Sequence, residues 1–136
     1  MAGSKGKIPA KHNPFKAADV VATASITVGA EAADVINVAI QLKDARGQDL
    51  GVRGSLLAYI SDDAEGDDVA ATAPDTVAIG TDGLAIALVT GKCFLLTSEV
   101  DGDIDIDITE NGVDTFYLHL VMPDGSLVSS GAITFA

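Results

Sequence analysis

Residues 33–43 read ADVINVAIQLK. Within this stretch Ile36, Val38, Ile40 and Leu42 alternate with Asn37, Ala39, Gln41 and Lys43. A period of two places one set on a buried face and the other toward solvent, which is a strand; a helix would need apolar residues every three to four positions. Just upstream, Ala22, Ala24, Ile26 and Val28 alternate in the same way with Thr23, Ser25 and Thr27, and Gly29–Ala32 form the connection. The first half of the chain therefore opens with an antiparallel pair.

The second half is divided by Asp82-Gly83, Asp101-Gly102, Asn111-Gly112 and Pro123-Asp124-Gly125. These residues tolerate the positive φ that tight hairpins require. Between them the expected strands are Leu84–Val89, Lys92–Val100, Asp103–Thr109, Asp114–Met122 and Ser130–Phe135, with a less regular one at Ser55–Ser61. About eight strands suffice for two packed sheets. The chain thus reads as all-β, one sandwich domain over residues 18–136. Residues 1–17, with Gly3, Gly6, Pro9 and Pro14 and no apolar periodicity, read as an extended N-terminal arm.

Charge separates the two parts. Lys5, Lys7, Lys11 and Lys16 stand in the arm with no acid among them, while the rest of the chain sets Lys43, Arg46, Arg53 and Lys92 against all 20 acids. The arm is positive and the body strongly negative, a combination suited to holding an acidic protein surface and unsuited to approaching a polyanion. The arm residues expected to meet a partner are Lys5, Lys7, Ile8, Lys11, Pro14, Phe15 and Lys16. A protein is favoured over nucleic acid, because the arm lacks arginine and the body repels phosphate.

The arm has no apolar core of the kind a secretory signal carries. Leu84–Val89, the longest strongly apolar run, is too short to cross a bilayer, so no membrane role is expected. Cys93 is the single cysteine and has Phe94, Leu95 and Leu96 beside it. It excludes an intramolecular disulfide, reads as a packed and inert thiol, and fits folding in a reducing cytoplasm.

Asp62–Thr76, DDAEGDDVAATAPDT, breaks the strand rhythm. A loop of about fifteen residues is long for a compact domain. It is expected as an exposed acidic tip presenting Asp62, Asp63, Glu65, Asp67 and Asp68, with Gly66 permitting a tight turn. Asp101, Asp103, Asp105 and Asp107 also invite a calcium reading, but the helix-loop-helix spacing fails: the sixth position from Asp101 is Ile106 and the twelfth is Gly112. The strand reading accounts for them, with Ile104, Ile106 and Ile108 inward and the acids outward in a solvated row that would also guard an edge strand. No metal or other cofactor is expected. Catalysis has little support: His12 and His119 are far apart in sequence, and no serine or cysteine carries a nucleophile motif.

The run Ala33–Leu50, ADVINVAIQLKDARGQDL, resembles the strand-and-turn pattern of bacterial and phage immunoglobulin-like domains, in which an alternating strand leads into Asp-Ala-x-Gly-x-x-Leu. Gly80–Ile108, with Thr81-Asp82-Gly83, an apolar strand and Asp101-Gly102, continues it, and the C-terminal PDGSLVSSGAITFA is similar to the end of proteins encoded among tailed-phage virion genes. The resemblance implies an immunoglobulin-like antiparallel β-sandwich of about seven to nine strands. It further implies a bacteriophage head decoration (cement) protein, commonly a trimer, bound to the major capsid protein on the outer surface of the virion after synthesis in the host cytoplasm. The paired cysteines and core Trp of antibody-type domains are missing, which excludes that branch. The alternative is a carbohydrate-binding or adhesive module of a phage tail or cell surface, for which Tyr59, Tyr117 and Phe15 are the candidate rings.

Overall fold

A computed structural model describes residues 19–136; the predicted arm contacts fall outside them. Ten strands are formed: β1 (Thr23–Val28), β2 (Val35–Lys43), β3 (Ser55–Ser61), β4 (Thr76–Ile79), β5 (Leu84–Val89), β6 (Cys93–Thr97), β7 (Asp103–Thr109), β8 (Asp114–Val121), β9 (Leu127–Ser129) and β10 (Ile133–Phe135). One sheet has the order β1-β2-β7-β4; the other runs β10-β8-β3-β6-β5, with β9 also paired to β8. All pairings are antiparallel. The immunoglobulin-like sandwich expected from the sequence is therefore present, with one strand more than the upper count: β4 and β9 are too short for alternation to reveal.

The core forms where the inward rows meet. Ile36, Val38, Ile40 and Leu42 from β2, with Ile104, Ile106 and Ile108 from β7, face Leu56, Ala58, Ile60, Phe94, Leu96, Phe116, Leu118 and Leu120 from the other sheet, and all are buried. Register keeps the rows aligned: Ile36 lies opposite Ile108, Val38 opposite Ile106 and Ile40 opposite Ile104. A slip of one residue would turn this set toward solvent, so the alternation fixes the pairing.

Turn chemistry agrees at three of the four expected dipeptides, where Gly83, Gly102 and Gly125 take positive φ. Asn111-Gly112 does not. Neither residue has positive φ, and the turn is held instead by Asn111, whose backbone N–H and side-chain Nδ2 both donate to Asp75 Oδ2, at 3.0 and 2.6 Å. The β1–β2 connection is tighter than Gly29–Ala32 alone. Ala32 and Val35 exchange backbone hydrogen bonds around Ala33 (φ 52°) and Asp34 (φ 64°), a two-residue turn with both central residues in the left-handed region.

β7 lies between β2 and β4, so its acidic row guards no sheet edge. Nor is its acidic row simply solvated. Asp105 Oδ1 accepts the backbone N–H of Thr81 (2.9 Å) and Asp82 (2.6 Å), and Oδ2 accepts Asn37 Nδ2 (2.8 Å), which also donates to Asp107. Asp105 holds the β4–β5 connection against the sheet.

Candidate partner-binding face

Registers in the six-stranded sheet place one row of side chains across five strands. Ile86 pairs with Leu95, Leu95 with Leu57, Leu57 with Val121 and Val121 with Leu127. On β3, β6 and β8 the residues on either side face the core: Leu56 and Ala58, Phe94 and Leu96, and Leu120 and Met122 are buried. The row therefore lies on the outer surface of the sheet. Ile86 is 59% exposed, Leu57 44% and Leu127 40%, with Leu95 and Val121 half-buried between them. Leu84 (61%), Leu88 (55%) and Val89 (53%) extend the patch along edge strand β5. Contiguous exposed apolar surface of this kind marks an interaction site more often than a solvated wall.

The acidic loop borders this row. It turns back over the outer face of β3 and β8. Tyr59 Oη donates to the carbonyl of Gly66 (2.6 Å), and the Tyr59 ring stacks on His119 with centroids 5.1 Å apart. His119 is fully buried; its Nε2 meets the carbonyl of Asp63 at 3.1 Å and its Nδ1 meets Ser129 Oγ at 2.7 Å. A carbonyl can only accept, so Nε2 is the donor to Asp63. Gly66 (φ +75°) is required here, since a Cβ would lie 2.7 Å from Tyr59 Oη and 2.9 Å from His119 Nδ1.

Of the predicted loop residues, two have structural duties. Asp63 Oδ1 accepts the N–H groups of Gly66 and Asp67, and Asp62 Oδ2 accepts that of Ala71 at 2.8 Å. Glu65, Asp67 and Asp68 remain exposed. Asp62, Asp63, Asp68, Val69 and Ala71 line a cleft of ≈430 Å³ beside the loop. Among the described residues no set of three His, Cys, Asp or Glu side chains comes together in a form able to hold a metal ion.

Four basic residues accompany these acids, and each is engaged. Lys43 pairs with Asp49 (3.0 Å), Arg46 with Asp44 (2.8 Å) and Arg53 with Glu99 (3.2 Å), while Lys92 Nζ donates to the carbonyl of Ala71 (3.0 Å). The Arg46 guanidinium, bonded to the carboxylate, holds Asp44 below the usual carboxylate range against the cost of burial. Cys93 is half-buried on the outer side opposite Tyr59, rather than among the inward residues Phe94 and Leu96.

Asp105 makes the electrostatics of the opposite sheet testable. Burial opposes its charge, but the hydrogen bonds from Asp82, Asn37 and Thr81 outweigh it and hold the carboxyl below its ordinary value. Asp103 is pushed the other way, by burial first and then by Asp101, Asp82, Asp105 and Asp49. A depressed folded pKa gives stability that is present above the unfolded value, about 3.9, and is lost as pH falls through the folded value. The raised pKa of Asp103 has the opposite sign, so its protonation favours the fold as pH falls. Asp105→Ala is expected to cost about 1–3 kcal/mol at pH 7, by leaving two backbone donors and Asn37 short of an acceptor. In urea titrations the gap from wild type should narrow in acid; a gap unchanged with pH would refute the ionic part of this account.

No family model and no curated protein matches the sequence. A similar solved structure is a cohesin module from the family 33 glycoside hydrolase of Clostridium perfringens ATCC13124, with 14% identity, a TM-score of 0.49, and coverage of 85% of this chain and 96% of that one.

Sequence reasoning found the acids and missed the apolar row. Its signal was present in Leu84–Val89, a strand apolar at all six positions yet exposed along its whole length. The glycan reading loses Tyr59, whose hydroxyl and ring are both committed beneath the acidic loop.

Proposed function

We propose that this chain is a non-enzymatic structural protein of a virion, a decoration protein that binds the outer surface of a phage head through its N-terminal arm and the sandwich. The observation that carries the binding reading is the exposed apolar row Ile86–Leu95–Leu57–Val121–Leu127 with an acidic loop beside it. The capsid as partner follows from the resemblance of Ala33–Leu50, Gly80–Ile108 and the C-terminal segment to phage virion domains. Apolar contact supplies affinity that survives salt, and the four lysines of the arm supply attraction that salt weakens.

Deleting residues 1–17 tests the reading. In dilute solution the truncated body is expected to keep its thermal unfolding transition, because among the described residues the core extends from Val21 to Phe135. Capsid occupancy, measured by co-sedimentation with expanded heads, should be abolished. For the full chain, occupancy should fall as the screening length shrinks from about 30 Å to about 10 Å between 0.01 and 0.1 M salt. Full occupancy by the truncated protein would reject the arm as tether.

A further inference from the structure

The apolar row needs an occupant, and the chain carries a segment whose chemistry fits it. We propose that the row is the docking surface for the N-terminal arm of a second copy of this chain. In the arm, Ile8, Pro9, Pro14 and Phe15 are interleaved with Lys7, Lys11 and Lys16. Beside the row stands a loop with Asp62, Asp63 and Asp68 around an open cleft. Lys43, Arg46, Arg53 and Lys92 are all engaged within their own copy, so the arm brings the positive charge that this surface lacks.

Length agrees as well. Five strands spaced by about 4.8 Å make the row roughly 19 Å wide. Ile8 to Phe15 in extended or polyproline form covers roughly 22–24 Å at about 3.1–3.4 Å per residue. A proline-bearing segment needs no ladder of backbone hydrogen bonds, and a sheet face offers none; side-chain contact with an apolar row is the mode open to it.

The attachment point lies close to the row. Val21 is buried beside Gly54, where an added Cβ would lie 2.6 Å from Val21 Cγ2, and Gly54 immediately precedes β3. The arm therefore joins the body at the rim nearest Leu57, but through β1, which belongs to the other sheet. Two bodies of like charge also approach more readily when each offers the other a positive arm. Each copy then gives one arm and receives one, and the assembly closes into a ring where the rotation permits.

The test is the oligomeric state of the full chain in solution, by sedimentation equilibrium, against two variants: deletion of residues 1–17, and Leu57→Asp. Leu57 is 44% exposed, so the aspartate leaves the core untouched; Ile86→Asp, at a position 59% exposed on an edge strand, serves if the first variant fails to fold. The full chain should self-associate, and either change should weaken association at least about tenfold, or about 1.4 kcal/mol. Mixing the two variants should restore a heterodimer, since the deletion keeps an intact face and Leu57→Asp keeps an intact arm. A full chain that stays monomeric, association that persists without the arm, or a mixture that fails to complement would each overturn the inference. It rests on the same arm and row as the proposed function, and the readouts separate the two: sedimentation of the chain alone tests exchange between copies, and co-sedimentation with heads tests capsid binding.

Discussion

Phe116→Ala is expected to lower the stability of the sandwich by about 3–5 kcal/mol, through loss of buried apolar surface and a cavity that the strands cannot close. Phe116 is fully buried on β8, opposite Ile133 of β10, and meets Phe135 edge to face with ring centroids 6.3 Å apart at 71°. Such aromatic pairs contribute about 0.5–1.5 kcal/mol beyond their area. The short strand β10 pairs with Asp114, Thr115 and Phe116, and it buries Ile133 and Phe135 in the same core. Against a typical total of about 5–15 kcal/mol the loss is large enough to leave a measurable unfolded fraction near body temperature. The urea midpoint should fall with the slope of the transition unchanged. A loss below about 1 kcal/mol would mean that the site collapses around the alanine and that β10 is anchored by other means.

The sandwich was legible because its signal is local. Ile36 to Leu42 and Ile104 to Ile108 alternate without interruption, and each alternation survives as a buried row. The apolar row was illegible for the opposite reason. Ile86, Leu95, Leu57, Val121 and Leu127 become neighbours only through the register of four strand pairs. Period two separates the faces of a strand, yet it does not say which face a partner will cover. The anchors of the acidic loop were not legible, since Tyr59 and His119 lie outside it, on β3 and β8. The interior place of Asp103–Thr109 was not legible, because order within a sheet is not written in any one strand. Turn chemistry misled only at Asn111, where a side chain across the sheet, Asp75, supplies what a positive φ would otherwise have provided.

His119→Ala is expected to release the acidic loop. The imidazole fills a fully buried site between β8, Ser129 and the loop, and it is the only described side chain that donates to the carbonyl of Asp63. Its removal leaves that carbonyl without its donor, frees the Ser129 hydroxyl and takes away the surface on which Tyr59 stacks. The combined cost is about 2–4 kcal/mol, one buried polar vacancy plus the packing of an aromatic-sized side chain. Most of that cost falls on the loop rather than on the core, because β8 keeps Phe116, Leu118 and Leu120 inward on the other face. Hydrogen exchange separates the two. Gly66, Asp67 and Ala71 amides, bonded to Asp63 and Asp62 within the loop, should exchange at least about tenfold faster, while amides of β7 follow the smaller change in global stability. Phenylalanine at 119 restores the ring but not the donor, so His119→Phe should recover the Tyr59 stacking and leave Gly66 exchanging fast. If loop and β7 amides accelerate together in both variants, the loop is part of the cooperative core and His119 acts on the whole fold.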